Sequence, residues 1–239
     1  MNYVTSKLEQ FGAVSDVIRL RERCWQGFKG LSIMPKNNSV PRPICEIETR
    51  LSDGRPVCLR TILPSDEARI RDGIREMSDR SRYLRFFSAF REPPESVVKQ
   101  LVAVDGHDHI AWGAILLDGE HYPPVGAARA IRSKTHPATG ELAIAVLDDY
   151  HSQGLARMLI AAVLVECHHE DLPILDVQIL AENQVATKLI VSIGAQRQKG
   201  IGSVQYYQLN VGKALDKLSH PAQPPGVTDV LTALNGLFH

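Results

Sequence analysis

The chain has 239 residues, of which 44% are hydrophobic, a size and composition typical of a globular protein that buries a sizeable core. Its 27 lysines and arginines equal its 27 aspartates and glutamates, so no overall field favours nucleic acid or an anionic membrane as a partner. No apolar run is long enough to cross a membrane, and the N-terminus lacks the layout of a secretory signal, which predicts a cytoplasmic protein.

Residues 1–45 differ in pattern from the rest of the chain. Four apolar residues fall at partial helical spacing: Leu8, Phe11, Val14 and Ile18. The breaker-rich segment MPKNNSVPRP comes next, so we predict a helical extension and a linker. The main domain is expected over residues 46–210 and a linker-like C-terminal tail over 211–239. For the apolar end of this tail, docking as a helix and disorder both stay open.

The predicted domain opens with a hairpin, because Asp53 and Gly54 form a turn signal between two short strand candidates. A helix is expected soon after Pro64, with acidic residues in its first turn. The four cysteines include no CxxC pair, which favours reduced, structural thiols: Cys24, Cys45, Cys58 and Cys167.

The segment SDRSRYLRFF predicts an amphipathic helix. Its aromatic residues recur at helical spacing and are expected in the core: Tyr83, Phe86, Phe87 and Phe90. Arg82 and Arg85 would lie on its solvated face, and contact with a phosphate or an acidic substrate is the less favoured alternative. Arg129, on a later strand candidate, could select an acceptor or take part in a structural ion pair.

Strand candidates over residues 109–117, 125–131 and 141–146 predict an antiparallel meander. Four histidines occur in two pairs without a convincing third ligand: His107, His109, His168 and His169. Surface or capping roles are therefore favoured for them, and no metal is expected.

The stretch over residues 141–162, ELAIAVLDDYHSQGLARMLIAA, predicts a strand, a turn and a buried helix in succession. The first turn of a helix leaves backbone N–H groups unpaired at the positive end of the helix dipole, and such a place binds phosphate. Gly154 would let a ligand approach the backbone closely. From Gly154 alone, an ordinary strand–turn–helix is the favoured interpretation.

The string HSQGLA, residues 151–156, resembles the Q/RxxGxG/A pyrophosphate loop of the GNAT family of N-acetyltransferases, with His151 in place of the usual Gln or Arg. The resemblance implies acetyl-CoA as acyl donor and no metal. It also implies a mixed α/β (α+β) GNAT fold, with a central, mostly antiparallel sheet flanked by helices and splayed at the coenzyme A site. The implied cofactor-binding residues are Ile144, Val146, His151, Ser152, Gln153, Gly154, Leu155, Ala156 and Asn183.

The segment LAENQVATKLIVSIGA resembles the NxxAxxLxxxxGF segment of the same family, in which the asparagine contacts the coenzyme A arm. Asn183 takes that position, and a simple helix N-cap is an equally good interpretation of it. Many members place a tyrosine in this helix as the general acid for the leaving thiolate. Ile190 occupies that place here, so the resemblance names no residue for this role.

Four segments in order resemble the protein lysine acetyltransferase branch: LSDGRPVCLRTILPSDE, SDRSRYLRFF, LVAVDGHDHIA and VGAARAIR. This implies protein lysine as acceptor, with an acyl-CoA synthetase as a candidate substrate. It also implies that Glu141 is the catalytic base; an exposed strand-end glutamate is the alternative. By strand alternation, Glu141 shares a face with Ala143 and Ala145, which leave room for a ligand. A small-amine acceptor and a non-catalytic acyl-CoA-binding sensor remain alternatives, and no oligomeric state is predicted.

Overall fold

The computed structural model describes residues 46–88, 90–118, 121–200 and 202–237, so the predicted extension over residues 1–45 lies outside the described residues. The strands are β1 (Ile47–Arg50), β2 (Pro56–Thr61), β3 (His109–Leu116), β4 (Pro124–Arg132), β5 (Thr139–Val146), β6 (Ile174–Leu180), β7 (Gln196–Arg197) and β8 (Val204–Asn210). They form one sheet in the order β1-β2-β3-β4-β5-β6-β8-β7.

The described residues also form seven α-helices: α1 (Glu67–Glu76), α2 (Asp79–Phe86), α3 (Glu95–Val102), α4 (Leu155–His169), α5 (Gln184–Ser192), α6 (Val211–Leu218) and α7 (Pro225–Leu237). None of these helices is long and apolar enough to span a membrane. Helices and strands together confirm the predicted mixed α/β class.

The sheet is antiparallel at every neighbouring pair except β5 and β6, which run parallel. The predicted hairpin at Gly54 is present between β1 and β2, with Gly54 in the left-handed region at φ +90°. The predicted meander is β3, β4 and β5, paired in sequence. Each of these features confirms a prediction from local pattern.

Alternate residues of β3 belong to two separate cores. Trp112 packs in the larger core with α4, whereas Ala111 packs with Ile62 and Val102 in a smaller core on the other face of the sheet. The sheet is therefore covered on both faces. Helices α4, α6 and α7 lie on one side, and α1 and α3 lie on the other.

Helix α4 is the centre of the larger core, as its apolar sequence predicts. Ten of its residues are buried, including Leu155, Leu159 and Leu164. One side of the helix packs against β3, β4 and β5, and the opposite side packs against α6 and α7. A helix covered in this way is apolar around most of its circumference rather than along one stripe.

The C-terminal tail docks as two helices. Val227, Val230 and Leu234 of α7 are buried in the larger core. The Arg157 side chain of α4 donates to Gln223 Oε1 at 3.2 Å and to Ser192 Oγ at 2.9 Å, so it joins the tail to α5. At residue 210, β8 runs directly into α6, and the boundary placed there between domain and tail stays a prediction.

The predicted helix over SDRSRYLRFF is present as α2, but some residues on each face differ from the prediction. Tyr83 and Phe87 are 43% and 39% exposed, and Phe87 adopts a left-handed C-cap after α2 ends at Phe86. The buried residue of α2 is Arg82, which donates to the carbonyl oxygens of Ile74, Arg75 and Met77. The last carbonyls of a helix need donors, and this guanidinium supplies them for α1.

The two cysteines in the part of the chain that the structure describes differ in state, and Cys24 and Cys45 lie outside the described residues. Cys58 on β2 is buried and disulfide-bonded, so the expectation of a reduced thiol is wrong for it. Cys167 on α4 is a buried free thiol, and burial raises its pKa to about 12.

Truncating the centre of α4 should destabilise the fold severely. Leu159 is fully buried between the sheet and the C-terminal helices. We expect Leu159→Ala to lower the free energy of unfolding by about 2–5 kcal/mol, because the lost contacts leave a cavity. Denaturant titration measures this change. Val185→Ala on α5, where the side chain is 70% exposed, should change it by less than about 0.5 kcal/mol, and equal effects would contradict this account of the core.

Candidate functional site

A tight loop joins β5 to α4 and presents the start of that helix. The Leu147 amide donates to Val125 O at 3.0 Å, a short 3-10 turn runs over Asp148–Tyr150, and the His151 amide donates to Asp148 O at 3.1 Å. Ser152 and Gly154 both lie in the left-handed region, at φ +62° and +84°. Left-handed residues within such a turn point successive N–H groups in a common direction.

The backbone N–H groups of residues 152–156 have no hydrogen-bond acceptor among the described residues. Leu155 and Ala156 belong to the first turn of a helix of 15 residues, whose dipole adds positive potential there. A pyrophosphate needs several donors and a positive field, and this loop supplies both. The loop predicted at residues 151–156 therefore has the chemistry expected of it, and ligand binding by its individual residues stays a prediction.

His151 helps to shape this loop. Its Nε2 donates to the carbonyl oxygen of Val146, the last residue of β5, at 3.0 Å. The histidine that replaces the usual Gln or Arg thus ties the loop back to the strand.

The outer side of the loop is held by residues that the sequence did not single out. Ser52 donates to Gln153 O from its amide at 3.1 Å and from its hydroxyl at 3.2 Å. The Arg55 guanidinium lies over the Tyr150 ring, 4.4 Å from its centroid. Ser52 and Gln153 are 101 positions apart, so no local pattern could have indicated this support. The loop therefore has a fixed shape before any ligand binds.

The gap beside the loop comes from the parallel strands. β5 and β6 pair at three positions only, ending with Glu141 opposite Asp176, while β5 continues to Val146. The predicted splay of the sheet is therefore present. Every second residue of β5 beyond Glu141 turns its backbone groups towards the gap. The side chains of Ile144 and Val146 pack against the α4 core, so their contact with a ligand would be through the backbone.

Glu141 lies at the mouth of this gap. Its side chain is exposed, and its Oε2 accepts a hydrogen bond from Gln178 Nε2 at 3.4 Å. Glu141, Ala143 and Ala145 share one face of β5, as strand alternation predicts. This face lies opposite α4, because Leu142, Ile144 and Val146 pack into the α4 core. An exposed carboxylate beside small residues can accept a proton from a group that enters this face.

Asn183 is the N-cap of α5. Its Oδ1 accepts a hydrogen bond from the Ala186 amide at 3.1 Å, so the capping role is present in the structure. The carboxamide N–H donors remain for a ligand, and contact with coenzyme A stays a prediction. Ile190 on the same helix is buried and has no ionisable group, so this position supplies no acid.

A cavity lies on the same face as Glu141, between α1, α2 and strands β2 to β5. Its empty volume is about 780 Å³, part of it open to solvent. The walls are mainly apolar, and the charged lining residues, which define what we term the arginine pocket, are Arg60, Asp66, Arg69, Arg85 and Arg129.

The two sides of the arginine pocket differ in charge balance. Burial opposes ionisation of Asp66, but hydrogen bonds from Arg60 and the Leu63 amide outweigh it and hold the pKa of this carboxyl below its usual range. Arg69 also pairs with Asp66, at 3.2 Å. Arg129, in contrast, is 5% exposed and has no described carboxylate within 4.0 Å.

Arg129 and His109 form a buried pair. The His109 Nδ1–H donates to Ala103 O at 2.9 Å, which leaves Nε2 to accept from Arg129 Nη1 at 3.2 Å. Burial, and then the Arg129 charge, lowers the pKa of His109 to about 4, so this imidazole is neutral near pH 7. Burial, and then the Arg85 charge, lowers the pKa of Arg129 to about 9. His109 is buried, so a surface position is wrong for it, but its hydrogen bond to Ala103 O, at the C-cap of α3, agrees with the capping alternative.

A sheet that opens at Glu141, beside a helix N-terminus with unpaired backbone N–H groups, is the arrangement that the sequence resemblance predicts for an acyl-CoA-dependent N-acyltransferase. A family model described as the Acetyltransferase (GNAT) family matches residues 74–195, about half of the chain. The chain therefore belongs to the GNAT acetyltransferase family, as the sequence resemblance predicted.

Two curated relatives resemble the chain. Acetyltransferase Pat of Mycolicibacterium smegmatis (strain ATCC 700084 / mc(2)155) is 29% identical over 152 residues, 64% of this chain and 45% of that protein. Acetyltransferase PA5475 of Pseudomonas aeruginosa is 28% identical over 109 residues, 46% of this chain and 58% of that protein. The chain thus spans about half the length of the curated relatives it matches.

Among solved structures, the GNAT domain of S. lividans PAT superposes with a TM-score of 0.62. It is 20% identical and covers 68% of this chain and 95% of its own. At this identity the likeness shows the fold, and it confirms the predicted GNAT architecture.

Gly154→Ala should weaken coenzyme A binding. Gly154 has φ +84°, and an added Cβ would lie 3.1 Å from Pro224 Cβ, so the backbone must shift away from the donor geometry. We expect the dissociation constant for coenzyme A, measured by calorimetry, to rise about tenfold or more, a loss of about 1.4 kcal/mol.

Gly202→Ala is the matched control, because Gly202 has φ +85° and open space around it. It should cost stability through the same backbone strain while leaving the affinity for coenzyme A unchanged. Equal affinities for coenzyme A in the two variants would contradict the assignment of this loop to the binding site.

Proposed function

We propose that this chain is an acetyl-CoA-dependent N-acetyltransferase that acetylates protein lysine, with Glu141 as the general base. The observation that supports this most is the end of β5–β6 pairing at Glu141, which places a carboxylate at the mouth of the gap beside the anion-binding loop. The choice of lysine is supported by the four resembling segments and by similarity to the relative named Acetyltransferase Pat. A cytoplasmic location and an acyl-CoA synthetase as acceptor belong to the same proposal.

The loop and the gap would bind different parts of the acyl donor. The amides of residues 152–156 would bind its pyrophosphate, and the unpaired edge of β5 would align its pantetheine arm. Binding along a fixed edge positions the thioester relative to Glu141, which is the contribution of orientation to catalysis. Asn183 would add a side-chain contact from the start of α5.

Proton transfer is the second requirement. A lysine side chain has a pKa near 10.4 and is mostly protonated at neutral pH, so a base must take a proton before the amine attacks. Glu141 can accept that proton directly or through water, because its carboxylate is exposed on the face that the acceptor would enter. Backbone N–H groups along the open edge of β5 can stabilise the oxyanion that forms on attack. The amine attacks the thioester carbonyl directly, without an acyl-enzyme.

Mass spectrometry of lysine acetylation tests this proposal. Purified protein and acetyl-CoA are incubated with a native, deacetylated protein extract, beside an enzyme-free control. We expect discrete new acetyl-lysines with the wild-type protein and a loss of about 10²–10⁴-fold in rate with Glu141→Gln, because the general base is removed. Calorimetry with coenzyme A should show that this variant still binds.

Asp176→Asn is the matched control. Asp176 is the exposed carboxylate in register with Glu141 on β6, and its Oδ1 accepts a hydrogen bond from Gln208. Its removal should change the rate by no more than a few-fold. Unchanged transfer by Glu141→Gln would contradict the mechanism, and tight coenzyme A binding without transfer to any lysine would favour a small-amine acceptor or a sensor module.

A further inference from the structure

The arginine pocket has an excess of positive charge on the side nearest Glu141. Four arginines and one aspartate line it, and that aspartate pairs with Arg60 and Arg69. This leaves Arg85 and Arg129 without a described carboxylate within 4.0 Å. Buried charges are normally paired, so the buried Arg129 beside the half-buried Arg85, both without such a carboxylate, favours binding of an anion in this cavity.

Arg129 has N–H donors that could bind such an anion. Its Nη1 donates to Leu101 O at 2.9 Å and contacts His109 Nε2, whereas Nε and Nη2 have no acceptor among the described residues. His109 is neutral and already bonded at both nitrogens, so it neither balances the charge nor moves to pair with it. The guanidinium is therefore held in place through Nη1, and its Nε–H and Nη2–H donors can bind a ligand.

Arg85 reaches the same cavity from α2. Its guanidinium carbon lies 4.9 Å from the centroid of the Phe86 ring. Its positive charge contributes to the lowered pKa of Arg129. The negative charge of Glu141 acts on Arg85 in turn. Arg129 pairs with Ala143 on β5 and so is a diagonal neighbour of Glu141, with Cβ atoms roughly 7–8 Å apart.

We propose that the arginine pocket binds a carboxylate borne on a short aliphatic chain, held by Arg85 and Arg129 next to Glu141. Apolar walls that include Ile70, Ile74 and Ala127 can pack against the aliphatic part of such a ligand, and guanidinium groups can bind a planar carboxylate through two N–H donors. Two molecules could bring this group: an acyl donor with a terminal carboxylate, or a small amine acceptor with one. The proposal rests on the proposed function, since acyl transfer is what brings either molecule to this face.

Calorimetry on the full chain tests the two sources separately. The donor arm compares succinyl-CoA with acetyl-CoA. The acceptor arm compares 4-aminobutyrate with butylamine, on protein saturated with coenzyme A. We expect one arm to show about a tenfold or greater preference for the carboxylate-bearing molecule, and that arm identifies the source.

Arg85→Gln and Arg129→Gln should each abolish this preference. Arg85 is half-buried, so Arg85→Gln should disturb the fold less than Arg129→Gln. The test therefore still works if Arg129→Gln unfolds the chain. Arg197→Gln on β7 is the control, because Arg197 is exposed and lies outside the pocket lining, and it should keep the full preference.

A preference that is absent from both arms would overturn the proposal, and so would one that survives in both arginine variants. A purely structural role for the arginines would change stability without changing the ratio of the two affinities. Because binding is measured without turnover, this outcome is independent of whether Glu141→Gln affects lysine acetylation.

Discussion

The functional features of this protein depend on the point at which the hydrogen-bond ladder between β5 and β6 stops. Parallel pairing ends at Glu141 and Asp176, although both strands continue. β6 stays attached to the sheet through its full pairing with β8, and β5 through its pairing with β4. The two halves of the sheet are thus each stable, and the gap between them leaves polar backbone groups that a ligand can pair.

Different chemistry lies on the two sides of β5. On one face, Ile144 and Val146 pack into the core of α4, which fixes the strand and the loop that connects it to this helix. On the other face, Glu141, Ala143 and Ala145 leave an accessible surface that ends at the arginine pocket. The same strand therefore supports the proposed pyrophosphate loop at its C-terminal end and Glu141, the proposed base, near its N-terminal end.

Local patterns in the sequence predicted most of the supporting fold. Alternation predicted the meander, the apolar run of α4 predicted a buried helix, and Asn183 predicted an N-cap. These features could be predicted because each depends on residues only a few positions apart. The family resemblance then pointed to the loop at residues 151–156 and to Glu141 as the site.

Long-range contacts explain what the sequence could not predict. The helical pattern predicts a solvated Arg82, but this side chain is buried and donates hydrogen bonds to carbonyl oxygens at the end of a different helix. His109 is buried, with hydrogen bonds to Ala103 O and to Arg129, which is 20 positions away. Phe87 leaves the aromatic stripe because a left-handed residue ends α2 early. In each case helical or strand period gives no information about the contact or the backbone turn that decides where the side chain lies.

Hydrogen–deuterium exchange with and without coenzyme A tests most directly the central claim that backbone N–H groups form the donor site. The account predicts that binding slows exchange in peptides covering residues 142–146 and 152–156, while the β1–β2 hairpin strands are unaffected. Coenzyme A that binds without protecting either of these segments would contradict it.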